Sequence, residues 1–337
     1  MSDRAPPLRH DLQGARAIAC VLLVVFHVIG GDSTDGLRLR AGSEIHQLLA
    51  FLSPLRMPLF AMISGCVYAM RPVRRGSEIN FLTGKVRRIL LPLLTVSTVF
   101  YSAQVAIGVE PLSGAILRLP SIYLRSYAIF WFLQAIFLVF VFMAFADPFI
   151  RTRPRATILL ISVLVPLEPH TSGIDFFSFW GFVFLLPYFL SGMLITRYPD
   201  KKPLLRVLVA GLILSAIVHG WYSWFSLRSD LLAQSARFGM GLCGGLLIIG
   251  AGPTSPTLKR IGAESFPIYL LHIFFVVGSR IGVSAAGGGA WLQFFAGLVC
   301  GLGGPMLTAW IIRKSSVGTP LILGERPNRP IARAATN

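Results

Sequence analysis

Residues 16–27 run Arg16-Ala17-Ile18-Ala19-Cys20-Val21-Leu22-Leu23-Val24-Val25-Phe26-His27, within a longer apolar segment, 15–31. Apart from the Cys20 thiol, Arg16 and His27 are the ionisable groups in it. A run of this length and composition predicts a membrane-crossing helix. At about 100° per residue, the step from Arg16 to His27 is three full turns plus roughly 20°, so both side chains share one face, about 16 Å apart. Polar groups at membrane depth are costly and turn toward a bundle interior or a wet cavity. A cation and an imidazole aligned in this way have the look of a site.

The whole chain has the same character. Of its 337 residues 54% are hydrophobic and only 13% charged, with a mean hydropathy of +0.70. Soluble domains carry about 25% charged residues, so the composition is that of a polytopic membrane protein. The formal charge of +17 would suit nucleic acid, but the basic residues stand in short clusters between apolar runs. That is the pattern of cytoplasmic membrane loops, and no nucleic-acid partner is expected. The first run lacks a small-residue cleavage site, so no cleavable signal peptide is expected. Cys20, Cys66, Cys243 and Cys300 all fall in apolar segments without CxxC or Cys/His spacing. They are expected to pack, with neither disulfides nor a metal site.

Ten apolar runs are visible, at 15–31, 48–70, 89–107, 127–145, 156–167, 176–196, 204–222, 238–251, 266–283 and 291–312. The fifth and eighth are short, and are expected to extend into polar neighbours or to cross thin membrane. With the N-terminus inside, the inner segments hold Arg4, Arg9, Arg16, Arg71, Arg74, Arg75, Lys85, Arg87, Arg88, Arg151, Arg153 and Arg155. They continue with Arg197, Lys201, Lys202, Arg206, Lys259, Arg260, Arg313, Lys314, Arg326, Arg329 and Arg333, making 23 of the 31 Lys and Arg. Removing one span would invert every later loop and destroy this bias. The prediction is an all-α integral membrane bundle of about ten transmembrane helices with both termini cytoplasmic. It forms one domain over 1–337, with short tails at 1–14 and 313–337. No repeat, low-complexity tract or long linker interrupts it. The longest outer loop, about 31–47, carries Asp32, Asp35, Arg38, Arg40, Glu44 and His46 and either covers a cavity or is simply solvated.

Four segments carry chemistry. His27 lies toward the outer end of the first span and Arg16 at the inner end. His27 is either bonded within the bundle or a general base, for which an imidazole suits neutral pH. Arg16 is either an interfacial anchor or a phosphate ligand. In residues 81–92, Lys85, Arg87 and Arg88 precede a span that has Pro92 in its first turn. They form a charge stop or bind an anionic cofactor arriving from the cytoplasm. In 52–65, Arg56 stands between Pro54 and Pro58 at the outer end of the second span, and Ser64-Gly65 follow at mid-membrane. Arg56 either snorkels outward or faces the cavity of His27, and Ser64 and Gly65 permit close helix approach. In 264–272, Tyr269 and His272 are three apart on one face, and His272 lines the interior or bonds a neighbouring helix.

Together these segments resemble the membrane acyltransferase family 3, whose members transfer acyl groups to sugars and other acceptors. Arg16…His27 reproduces the family's Arg-x10-His pattern. Residues 56–60 with Ser64-Gly65 resemble its second span, and Lys85-Val86-Arg87-Arg88-Ile89…Pro92 its basic segment before the third. Trp131-Phe132-Leu133 and Tyr269-Leu270-Leu271-His272 look like its later motifs. The likeness runs from about 11 to 312. Nothing here forms the extra C-terminal hydrolase-like domain of some members, so any reaction is expected to finish in the membrane domain or on a separate partner.

The resemblance implies an O-acyltransferase of a bacterial inner (plasma) membrane, using an acyl-CoA donor from the cytoplasm. The donor is acetyl-CoA in the first reading and succinyl-CoA in the alternative. The acceptor is a glycan or lipid-linked sugar on the outer side, and no metal is implied. Arg16 with Lys85, Arg87 or Arg88 would hold the phosphates, and His27 would act as base or acyl carrier. Arg56, Ser64, Trp131, Tyr269 and His272 are candidates for the cavity or acceptor site. The rival of another class is a secondary transporter or polysaccharide flippase. Against it, Glu110, Glu168, Asp175 and Glu264 sit at or beyond span edges, and no inverted repeat is visible.

Overall fold

The computed structural model describes residues 11–31, 35–39, 43–199, 205–225 and 231–326. Predicted features at Arg4, Arg9, Asp32, Arg40, Lys201, Lys202, Leu204, Arg329 and Arg333 lie outside the described residues, as does most of the two predicted tails. Among the described residues the fold is helical, with a single isolated bridge, Arg125 to Phe176, in place of any sheet.

The helices are α1 (Asp11–Ile29), α2 (Glu44–Met70), α3 (Glu78–Lys85), α4 (Leu91–Ala106), α5 (Ala115–Leu124), α6 (Trp131–Ile150) and α7 (Pro154–Leu167). They continue as α8 (Phe179–Arg197), α9 (Leu205–Trp224), α10 (Leu231–Ala251), α11 (Pro256–Ala263), α12 (Ser265–Ala285), α13 (Ala290–Ile312) and α14 (Gly318–Leu323). A π-helical turn, Val86–Leu90, joins α3 to α4 without a break, so Pro92 stands inside a continuous helix and not in a first turn, and its missing N–H falls next to the π turn. Ser43 caps α2 by accepting from His46 N, and Ser255 caps α11 by accepting from Leu258 N with Pro256 in the first turn.

Among the described residues, nine helices are long and apolar enough to cross a membrane. The short eighth run is completed by polar residues before it, giving α10 twenty-one residues. The fifth run is the difference from the ten expected. Its helix, α7, has only fourteen residues, a rise of about 21 Å. Even so, α7 has to return across the bundle, because α6 and α8 run parallel. At one end Arg197 of α8 lies 2.7 Å from Asp147 of α6, and Tyr198 Oη donates to Arg151 O at 2.9 Å. At the other end Ser178 Oγ donates to Gln134 Oε1 at 2.5 Å. A 3-10 turn, Glu168–Thr171, follows α7 and lengthens the crossing by about 8 Å.

The apolar surface faces outward as well as inward. Val207, Ile213, Leu214 and Ile217 of α9 are all more than half exposed, and α13 presents Leu292, Phe295, Val299 and Leu307 in the same way. Water would not tolerate such faces on a soluble protein, and lipid does. The protein is a multi-pass membrane protein.

Basic groups at one end are tied into the helix ends. Asp147, fully buried, accepts from Arg151 at 2.6 Å and pairs with Arg197. The Arg197 contact is close, but its N–H is not aimed along a hydrogen-bond axis, so the pair is coulombic. At the same end Arg313 grips both carboxylate oxygens of Glu264 at 2.8 Å and those of Glu325 at 2.9 Å. The bonds to Glu325 and Glu264 hold its guanidinium protonated beyond the usual arginine range. This fork fixes the start of α12 against the end of α13.

Candidate active site

α1 positions both residues of the opening pair, and they open into different cavities. Arg16 lines one of about 510 Å³ at the basic end of the bundle, with Ser64, Arg71, Lys85, Arg88 and Tyr269. His27 lines another of about 400 Å³ toward the opposite end, with Arg56, Ala128, Trp131, Tyr269 and Arg280.

The wall between them is aromatic. Phe60 of α2, Phe132 of α6 and Tyr269 of α12 meet with ring centroids 5.2–6.2 Å apart. Phe60 and Phe132 face the basic cavity, whereas Tyr269 lines both. The Tyr269 hydroxyl donates to the carbonyl of Ile129, itself on the histidine side.

Lys85 and Arg88 are three residues apart and reach the same cavity, as neighbours on a helix face do. The Lys85 ammonium lies 3.4 Å from the centroid of Phe140 and 5.2 Å from that of Phe81, so aromatic faces hold it in place. Arg87 is the exception among the predicted phosphate ligands. It does not line this cavity: two residues on from Lys85, it points to the other side of the helix. Gly324, at φ 64°, brings the chain after α14 against the backbone of Arg87 and Arg88, an approach that a Cβ would block.

On the histidine side, the Arg56 guanidinium stacks 3.6 Å over the ring of Phe26. Its Nε and Nη1 are buried and have no hydrogen-bond partner among the described residues. Such an arrangement is costly unless a ligand completes it. His27 Nδ1 lies 2.9 Å from Leu23 O and 3.2 Å from Nε2 of His272. His272 is fully buried and does not line the cavity itself; it reaches it through His27. Ser64 likewise differs from its expected company, for it lines the basic cavity and its hydroxyl is spent on Phe60 O at 2.8 Å.

The cavity rim is held under strain. Ala128, which lines it, has φ 44°, and Phe177 and Ser178 have φ 48° and 53°. A non-glycine residue there costs on the order of 1–3 kcal/mol and persists only when neighbours enforce it. At Ser178 buried Gln134 is such a neighbour, accepting from its hydroxyl while donating to Tyr123 O at 2.8 Å and Arg125 O at 3.1 Å. Trp131 stacks on Trp180 at 4.7 Å, and Trp180 donates to Ser126 at 3.0 Å. The described part of the 31–47 loop closes the rim, with Asp35 and Gly36 lining it and Gly36 O accepting from Arg280 at 2.6 Å. Among the described residues no metal-holding group of His, Cys, Asp and Glu occurs.

The sequence pattern of the acyltransferase domain matches residues 9–310. The chain belongs to acyltransferase family 3. No curated protein and no solved structure matches it. The acyltransferase therefore fills nearly its whole chain with one domain of this family. Arg280, Phe26 and the Ala128–Ile129 backbone are cavity residues of the acyltransferase that motif reasoning passed over. Arg280 had a signal: with Arg56, it is one of the few basic residues placed away from the basic end.

Proposed function

We propose that this acyltransferase moves an acyl group, acetyl from acetyl-CoA, to a hydroxyl of a cell-surface or exported glycan across a bacterial plasma membrane. The observation that carries the reading is the pair of cavities meeting at Tyr269, cationic on one side and bearing His27 on the other. The charge bias assigns the cationic side, and both termini, to the cytoplasm. Arg16, Lys85 and Arg88 there bind the phosphates of the donor. Its thioester arm passes beside Tyr269 and brings the carbonyl to His27. His27 takes the proton of the acceptor hydroxyl as the oxygen attacks the thioester carbon. The oxyanion that forms is met by Arg56. When it collapses, the C–S bond breaks and the thiolate sulfur recovers the proton from His27.

A specific feature favours a second reading, succinyl transfer to an exopolysaccharide or glucan. The Arg56 guanidinium has buried, unpartnered nitrogens beside His27, and the free carboxylate of a succinyl group would satisfy them. Mass analysis of surface glycans from cells with and without the protein separates the two by the difference of one acetyl or one succinyl. The enzyme reading requires that His27→Ala, inserted normally, abolish that modification. Unchanged modification in this variant overturns it, and loss of the exported glycan itself would favour a transporter.

A further inference from the structure

Which nitrogen of His27 is the base is not set by His27 alone, and the hydrogen bonds around α12 decide it. His272 Nδ1 lies 2.9 Å from Ile268 O and 2.8 Å from Tyr269 O. Both are carbonyl oxygens and only accept, so this nitrogen must carry a hydrogen. A neutral His272 then has a bare lone pair on Nε2, which is the atom 3.2 Å from His27 Nδ1. The His27 nitrogen in turn faces a second acceptor, Leu23 O at 2.9 Å. Two acceptors on one nitrogen again require a hydrogen there. His27 is therefore held with its proton on Nδ1, and its lone pair falls on Nε2, which makes no hydrogen bond to the described residues.

We propose that His272 is the positioning residue of the reaction. Together with Leu23 O, it acts as a neutral acceptor that holds the tautomer and ring plane of His27, so that Nε2 is the atom presented to the acceptor hydroxyl. The inference rests on His27 acting as base. When the hydroxyl oxygen bonds to the thioester carbon, its proton adds to His27 Nε2 and the ring becomes positively charged. The Nδ1–H then donates to His272 more strongly, because its donor is now cationic. When the C–S bond breaks, the same proton leaves Nε2 for the thiolate sulfur, and the pair is restored. No other proton store is needed. His272 suits this part because its buried site admits no competing water, and α12 pins it through two backbone carbonyls. An acidic partner would serve as acceptor too, but an uncompensated carboxylate would be expensive at this depth.

Four purified variants test the assignment. His272→Phe fills the space and removes the acceptor, and it should lower kcat by about 10- to 100-fold while leaving KM for acetyl-CoA unchanged. His272→Gln offers an amide oxygen to His27 Nδ1–H and should recover part of that loss. A His272→Phe protein that turns over at the normal rate overturns the proposal, as does a folded His272→Gln protein no faster than His272→Phe. His27→Ala distinguishes the two levels. If it is inactive while His272→Phe is normal, only the role of His272 fails; if it is active, the base assignment fails with it. Nitrogen-15 spectra of the histidine-labelled wild-type protein, compared with those of His27→Gln, give a reading that needs no His272 variant. Protonated Nδ1 on both rings is expected, and a protonated Nε2 on neutral His27 overturns the proposal.

Discussion

Arg16 and His27 occupy one face of a single helix, yet they open into separate cavities whose shared wall is Tyr269. The helix thus does more than align two polar groups. It sets a cationic chamber and an imidazole at fixed depths on either side of an aromatic partition.

Donor binding should follow the lining of the basic cavity and not the basic motif as a whole. Arg16→Gln, Lys85→Gln and Arg88→Gln each remove a cation from that chamber. A hydrogen bond to a charged group is worth about 1.5–3 kcal/mol, so each should raise KM for acetyl-CoA by about 10- to 100-fold. Arg87→Gln, from the side facing away, should leave KM within about twofold. Steady-state kinetics in detergent or nanodiscs check this, and equal effects at Arg87 and Arg88 would contradict the geometry.

Arg56 should show a division between stability and activity. Its Nε and Nη1 are buried and unpartnered, and removing an uncompensated buried charge relieves a cost. Arg56→Met is expected to keep or raise the thermal unfolding midpoint. The same change should lower kcat by about 100-fold, the scale of one oxyanion donor. A drop in midpoint together with full activity would mean that Arg56 is structural.

The Asp147 cluster should behave in the opposite way, as architecture. Asp147 is fully buried, and two arginines depend on it. Asp147→Ala leaves Arg197, only a tenth exposed, without its counter-charge. Breaking a buried pair costs about 3–5 kcal/mol, so a large fall in the unfolding midpoint is expected. The double change Asp147→Leu with Arg197→Met should recover much of it, because an apolar pair bears no such debt.

The membrane class and nearly all the spans were legible because lipid imposes one simple demand, about twenty apolar residues in a row. α7 departed from it because its fourteen residues reach across only together with the 3-10 turn that follows them. The two-cavity arrangement was legible only in part. Spacing put Arg16 and His27 on one face, since that follows from helix periodicity. Periodicity says nothing of which remote helix turns toward them. The contact of His272 with His27 spans 245 positions in sequence, and nothing in the sequence marks the left-handed backbone of Ala128 at the cavity rim. Arg87 went astray for the complementary reason: a basic cluster shows charge, but helix phase decides which member faces inward.

The seam between α2 and α8 is a direct backbone contact. Gly65 of α2 and Gly192 of α8 each press against the other helix's backbone: a Cβ at Gly65 would collide with the Phe189 carbonyl, and one at Gly192 with that of Met62. Small residues permit this approach, and the buried Cys66 thiol adds a 3.3 Å contact to Gly192 O. Gly65→Ala and Gly192→Ala should each destabilise by about 1–3 kcal/mol through overpacking. Both should also reduce activity, because α2 bears Arg56 and Phe60. Gly84 in α3 provides the contrast, since nothing lies within 4 Å of where its Cβ would stand. There the lower entropy cost of alanine in a helix should stabilise by about 0.5–1 kcal/mol. Thermal unfolding of the three variants side by side checks the sign at each position, and a stabilising Gly65→Ala would mean that α2 and α8 are not in direct backbone contact.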